Sequence, residues 1–144
     1  GGLVAKNNNG RLTYCYSVNT FNIQGSVGNA YIGGLIGVSE GDKISYSYVN
    51  VSYTSLPSNF NIYQLVGKLN SSNNNAENVY YKNVNAFVAV NGIQSAGIKS
   101  YDTLPTETGV NLYGTGTMFN KSDLYNGNPR LDFEASFDKV IWKD

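Results

Sequence analysis

The chain has 144 residues, with ten Lys and Arg against ten Asp and Glu, so its formal charge is zero. The basic residues stand singly from Lys6 to Lys143, which excludes the basic stripe that nucleic-acid binding needs. Apolar runs of five residues or fewer exclude a helical membrane span. Histidine is absent, which removes Ser-His and Cys-His nucleophile pairs and the commonest metal ligand together. With Cys15 as the sole cysteine there is no disulfide inside the chain. The spacing and type of its neighbours predict a small buried side chain there. A Tyr-, Asn-, Ser- and Gly-rich chain of low charge is the composition of an extracellular β-protein rather than a cytosolic enzyme.

In chain order, three strings can be laid one above another: GGLVAKNNNGRLTYCYS from Gly1, GGLIGVSEGDKISYSYV from Gly33 and YQLVGKLNSSNNNAENVYY from Tyr63. Leu3 and Leu35 are 32 residues apart, and Tyr16, Tyr48 and Tyr80 recur at 32 and 32 again. A fixed period in this range is the mark of stacked repeats, each burying its apolar face on the next. The chain opens on Gly1 inside a repeat and is expected to continue upstream as part of a longer array.

Alternation predicts strands in every unit. Leu12, Tyr14, Tyr16 and Val18 fall on one strand face and Thr13, Cys15 and Ser17 on the other, with Ile44, Tyr46 and Tyr48 repeating the first face. Asn7 to Gly10, and then Ser39 to Asp42, are turn residues that tolerate positive φ. In the third unit Leu35 to Leu65 is 30 rather than 32. The segment around Pro57 to Asn61 is therefore two residues shorter and the polar turn Asn70 to Asn75 two longer, which restores the Tyr register. The columns expected from this are Leu3, Leu35 and Leu65 pointing inward, Tyr16, Tyr48 and Tyr80 beside them, and Cys15, Ser47 and Val79 aligned.

Gly33, Gly34, Leu35, Ile36 and Gly37, followed by a polar turn and, one unit on, Asn78, Val79, Tyr80 and Tyr81, resemble the GLUG repeat. That repeat occurs in large bacterial surface proteins, some adhesins and non-catalytic regions of certain secreted metallopeptidases. The resemblance covers about residues 1 to 84, and the departures are Tyr14 where Asn is usual, Ala5 for the last Gly, and Tyr63 and Gln64 for the Gly pair. It implies an all-β fold, a right-handed β-solenoid or β-helix-like stack of about three rungs. Residues 1–84 would form the repeats, and residues 85–144 the final strands and a C-terminal cap.

The remaining residues do not repeat. Phe87 to Val90 predict one more strand, and Ser122, Asp123 and Leu124 the start of a short helical turn. Phe133, Phe137, Val140, Ile141 and Trp142 are too apolar for a free tail and are read as the cap over the last rung. Asp132 and Glu134, with Asp123 and Asp138 nearby, are read as solvated charge among Lys121, Arg130, Lys139 and Lys143 rather than as a catalytic pair. Only Asp42 occupies a repeat turn, against Gly10 and Asn74 or Asn75, too few acids for calcium. Gly114 to Thr117 lack the ending of a phosphate loop. No catalytic, metal or cofactor site is therefore expected. Asn50, Asn70 and Asn120 open N-glycosylation sequons.

The tyrosines are the one constellation with binding capacity. Stacked at about 4.8 Å, they would either line the wall of the fold or expose a strip to a sugar or protein, and Tyr14, Tyr46, Tyr48 and Tyr81 are the candidate contacts. The leading expectation is a non-enzymatic structural or adhesive segment of an exported cell-surface protein. Its partners would be a protein or glycan of a host or neighbouring cell, or further copies of itself along the stacking axis. A carbohydrate-binding module and an accessory region of a secreted metallopeptidase are the alternatives.

Overall fold

The computed structural model describes residues 1–25, 30–40, 43–55, 60–70, 75–82, 96–102, 104, 112, 119–125 and 127–131. Every regular element among them is a strand. The first repeat supplies β1 (Val4–Asn7), β2 (Arg11–Thr13) and β3 (Tyr16–Asn22). The second supplies β4 (Tyr31–Gly33), β5 (Ile36–Ser39) and β6 (Lys43–Ser55). The third supplies β7 (Asn61–Tyr63), β8 (Val66–Leu69) and β9 (Asn75–Lys82). Beyond the repeats lie β10 (Ile98–Tyr101), β11 (Phe119–Tyr125) and β12 (Asn128–Leu131).

Each strand pairs with its own counterpart in the next repeat, parallel and in register. Val4 faces Ile36 and Ile36 faces Val66 in the sheet β1-β5-β8, and Tyr31 faces Asn61 in β4-β7. Leu12 faces Ile44, Tyr16 faces Tyr48 and Tyr48 faces Tyr80 in the largest sheet. The offset between the second and third repeats is 30 at Ile36–Val66 and 32 at Tyr48–Tyr80. The change falls between Leu69 and Asn75, within the longer polar turn, of which residues 71–74 lie outside the described residues.

The expected right-handed solenoid of about three rungs is not what these strands make. The ladders belong to four separate sheets: the three-stranded β1-β5-β8, the five-stranded β10-β9-β6-β2 with β3 also on β6, and the pairs β4-β7 and β11-β12. Pairing each strand with its repeat copy satisfies the backbone within parallel sheets and does not require the chain to close into a coil. The end of the chain breaks the period outright. Ile98 of β10 faces Val79 at an offset of 19, and β11 and β12 form an antiparallel hairpin. The helical turn expected at Ser122 to Leu124 is corrected as well, since those residues lie within strand β11, where Leu124 faces Pro129 of β12 beyond an irregularity after Asn120.

The Leu column is also corrected in part. Backbone bonds run from Leu3 N to Leu35 O at 3.0 Å and from Leu35 N to Leu65 O at 2.9 Å. Leu35 and Leu65 are fully buried, yet Leu3 is 51% exposed because β1 is the edge of its sheet. The Gly pair has a related cause. A Cβ on Gly2 would lie 2.1 Å from Gly34 O, and one on Gly34 2.2 Å from Gln64 O, so those two positions must be Gly for successive repeats to approach. The third repeat carries Gln64 there, where among the described residues β7 and β8 end their sheets and no further repeat strand follows.

Single-face alternation along Leu12 to Val18 fails for a local reason. Tyr14, Tyr46 and Asn78, one per repeat, have φ of 54°, 45° and 53°. A left-handed residue shifts the alternation by one. Leu12, Ile44, Cys15, Val49 and Val79 consequently share one core, while Tyr14, Tyr16, Val18 and Tyr46 pack into a second on the opposite face. Asn adopts this conformation readily, whereas a tyrosine there costs about 1 kcal/mol or more. Stacking of the Tyr14 and Tyr46 rings, with centroids 5.3 Å apart, offsets part of that cost.

Polar ladders run beside the apolar ones. Thr13 bonds Ser45 and Thr20 bonds Ser52, hydroxyl to hydroxyl at 2.9 Å. The buried Ser47 hydroxyl donates to Ser45 O and accepts from Cys15 N. Cys15, Ser47 and Val79 are thereby aligned. Cys15 is half-buried, and burial raises its thiol pKa. At the turns, Asn7 bonds Gly10 through both its amide atoms. Lys6, Glu40 and Asn70, one from each repeat, form a polar chain on which Glu40 accepts from both neighbours. The Asn70 bond, followed by Lys6, lowers the Glu40 pKa.

Candidate functional site

The outer face of the five-stranded sheet gathers the tyrosines. Register places Tyr16, Tyr48 and Tyr80 side by side on β3, β6 and β9, and Tyr16 stacks on Tyr48 with centroids 5.3 Å apart and planes 9° from parallel. This strip does not lie open. Phe119 of β11 sets its edge against Tyr48 at 5.4 Å and Tyr16 at 6.1 Å, and Leu104, Leu112 and Leu131 join the same cluster. The Tyr48 hydroxyl donates to Pro129 O of β12.

The four candidate contacts therefore have different surroundings. Tyr48 is fully buried beneath the hairpin, with no ring surface for a ligand. Tyr81 is half-buried on the opposite face, packed against the inner core. Only Tyr14 and Tyr46, stacked and half-buried, remain together beside solvent. Next to them Tyr46 donates to Glu77 Oε1 at 3.3 Å, and the Glu77 carboxylate is ion-paired with Lys43. The Lys43 bond holds the Glu77 pKa below the usual carboxylate value.

The cap that the sequence predicts over the last rung falls in the C-terminal tail. Residues 132–144, which hold Phe133, Phe137, Ile141 and Trp142, lie outside the described residues, as do Phe87 to Val90, Asp42 and Gly114 to Thr117. Among the described residues the Tyr column is covered by Leu104, Leu112, Phe119 and β12, whose leucines and single Phe gave no pattern to single them out. Among the described residues no three His, Cys, Asp or Glu side chains converge. Of the sequons, Asn50 is half-buried with its amide donating to Asn128 Oδ1 at 2.7 Å, while Asn70 is exposed.

A third stacked aromatic pair sits on the inner side. Phe21 stacks on Tyr53 at 5.3 Å, and the Tyr53 hydroxyl donates to Tyr63 O, tying the end of β6 to β7. Burial pushes the Tyr53 pKa up to about 12. Lys68 lies 5.1 Å from the Tyr31 ring centroid, a cation over an aromatic face. The Tyr53–Tyr63 bond and the Lys68–Tyr31 contact each join one sheet to another, while Phe21 and Tyr53 stack across neighbouring strands of the same sheet. Comparison with family models, with curated proteins and with solved structures finds no match.

Proposed function

We propose that the chain is a non-enzymatic structural and adhesive segment of an exported cell-surface protein of the GLUG-repeat type, meeting a protein or glycan of a host or neighbouring cell. The observation that carries this reading is the in-register pairing of three repeats at offsets of 32 and 30. Such pairing spends the side chains on each other: hydroxyl ladders, stacked rings and a Lys6–Glu40–Asn70 chain at the turns. Among the described residues β1 and β8 end their sheet, and such edges also suit self-association along the stacking direction. Variable polar turns then carry outside contacts on a scaffold whose strands keep their positions.

The test is antibody labelling of intact, unpermeabilised cells of the producing organism, paired with an adhesion assay after in-frame deletion of residues 1–131. Surface labelling together with reduced adhesion is expected. Labelling that requires permeabilisation, or adhesion that is untouched by the deletion, would overturn the reading.

A further inference from the structure

We propose that the cleft between the outer face of the five-stranded sheet and the β11–β12 hairpin binds one neutral sugar ring. The proposal gives the adhesive reading a ligand class and rests on it for its setting. The cleft has a volume of about 160 Å³. Sites for drug-sized ligands run to roughly 300–1,000 Å³, so this one takes a single small ring rather than a peptide or an oligosaccharide.

Its walls come from one row of the sheet. Asn50 stands in register with Val18, and Lys82 with Tyr101, while the Val49–Tyr81 pair immediately before brings Asn50 and Lys82 onto neighbouring positions. The row is apolar at Val18 in the first repeat and becomes polar at Asn50 and Lys82, where the hairpin comes over it. Asn128 of β12 reaches down to accept from the Asn50 amide, and Asp102 closes the far side. The Tyr101 hydroxyl donates to Val49 O at 2.9 Å. That bond spans two strand spacings, about 10 Å, so the Tyr101 ring crosses the face of β9. With Leu104 it gives the cleft an apolar floor.

The chemistry of this lining selects its ligand. Lys82 and Asp102 contribute one charge of each sign, so a charged ligand attracted to one is repelled by the other. Hydroxyl groups both donate and accept, and so can meet an ammonium, a carboxylate and two carboxamides alike. Tyr101 and Leu104, each only 4% exposed, offer an apolar edge to the C–H groups of a small ring rather than an open stacking face.

The test is a ¹⁵N–¹H NMR titration of the whole 144-residue chain with neutral hexoses and N-acetylhexosamines, and with glycine and inorganic phosphate as charged probes. Saturable shifts confined to Asn50, Lys82, Asp102 and Asn128 are expected for at least one sugar, with Kd in the millimolar range. Asp102 is exposed, so Asp102→Ala is expected to keep the amide spectrum of the folded protein and to weaken that sugar about tenfold. No saturable shift with any sugar, shifts centred elsewhere, stronger binding of glycine or phosphate, or unchanged affinity in Asp102→Ala would each overturn the proposal. Because the titration is made in solution, its failure leaves cell-surface labelling unaffected, and loss of surface labelling leaves the titration unaffected.

Discussion

Replacing Tyr48 with Ala is expected to destabilise the protein by about 3–5 kcal/mol, the cost of truncating a fully enclosed aromatic side chain. Tyr48 has no exposed surface, stacks on Tyr16 at 5.3 Å and meets the Phe119 edge at 5.4 Å. Its removal opens a hole between sheet and hairpin at the place where the two are also joined by a hydrogen bond. Tyr48→Phe separates these contributions. It keeps the ring and deletes the donor to Pro129 O, leaving a carbonyl of a fully buried residue without its partner, for an expected cost of about 1–3 kcal/mol. Urea denaturation of both variants measures the difference. A Tyr48→Ala midpoint equal to that of the unsubstituted protein would show that the hairpin does not lie on this face.

Leu35→Asp is expected to prevent folding, whereas Leu3→Asp at the same repeat position is expected to cost less than about 1 kcal/mol. Leu35 is completely enclosed between the first and third repeats, where a carboxylate finds no compensating partner. Leu3 makes the same backbone bond but stands on the sheet edge, 51% exposed. Surface substitutions of that kind change stability by only a few tenths of a kcal/mol. Far-ultraviolet circular dichroism and thermal melts of the two variants check the contrast. Equal damage at both positions would mean that Leu3 is enclosed as well.

The repeat made the register readable before the structure. Tyr16, Tyr48 and Tyr80 do pair across strands, and the arithmetic that shortened one connection and lengthened the next matches the offsets of 30 and 32. Side-chain type at equal spacing carries that information directly, because a parallel ladder sets like beside like. The closed coil inferred from the same period was not legible in it. A period states which strands pair, while the shape of the chain between them depends on turns that vary from unit to unit. The facing of Leu12 against Tyr14 was hidden by a backbone angle, since Tyr at position 14 or 46 gives no sign of positive φ, in contrast to Asn78.

The covered strip was hidden for another reason. Tyr48 reads as a contact residue until Phe119 and Pro129 are placed over it, and those residues are 71 and 81 positions away with no repeat to announce them. Asn50, Lys82 and Asp102 likewise carry no motif. They meet because β6, β9 and β10 lie side by side. The change from Val18 to Asn50 and then Lys82 at equivalent repeat positions was the trace of the cleft in the sequence.

Parallel pairing of equivalent residues is the claim on which everything above depends, and disulfide trapping tests it most directly. Thr20 and Ser52 are both exposed register partners on β3 and β6. Directly paired strand positions have the Cα separation a disulfide needs, roughly 4.4–6.8 Å. In a Cys15→Ser background, where the counterpart residue is already Ser47, the T20C/S52C pair is expected to oxidise readily and to leave the fold intact. The T20C/T54C pair, two positions out of register, is expected to remain reduced under the same conditions. Ready oxidation of T20C/T54C with T20C/S52C still reduced would contradict the register and the stacked arrangement built on it.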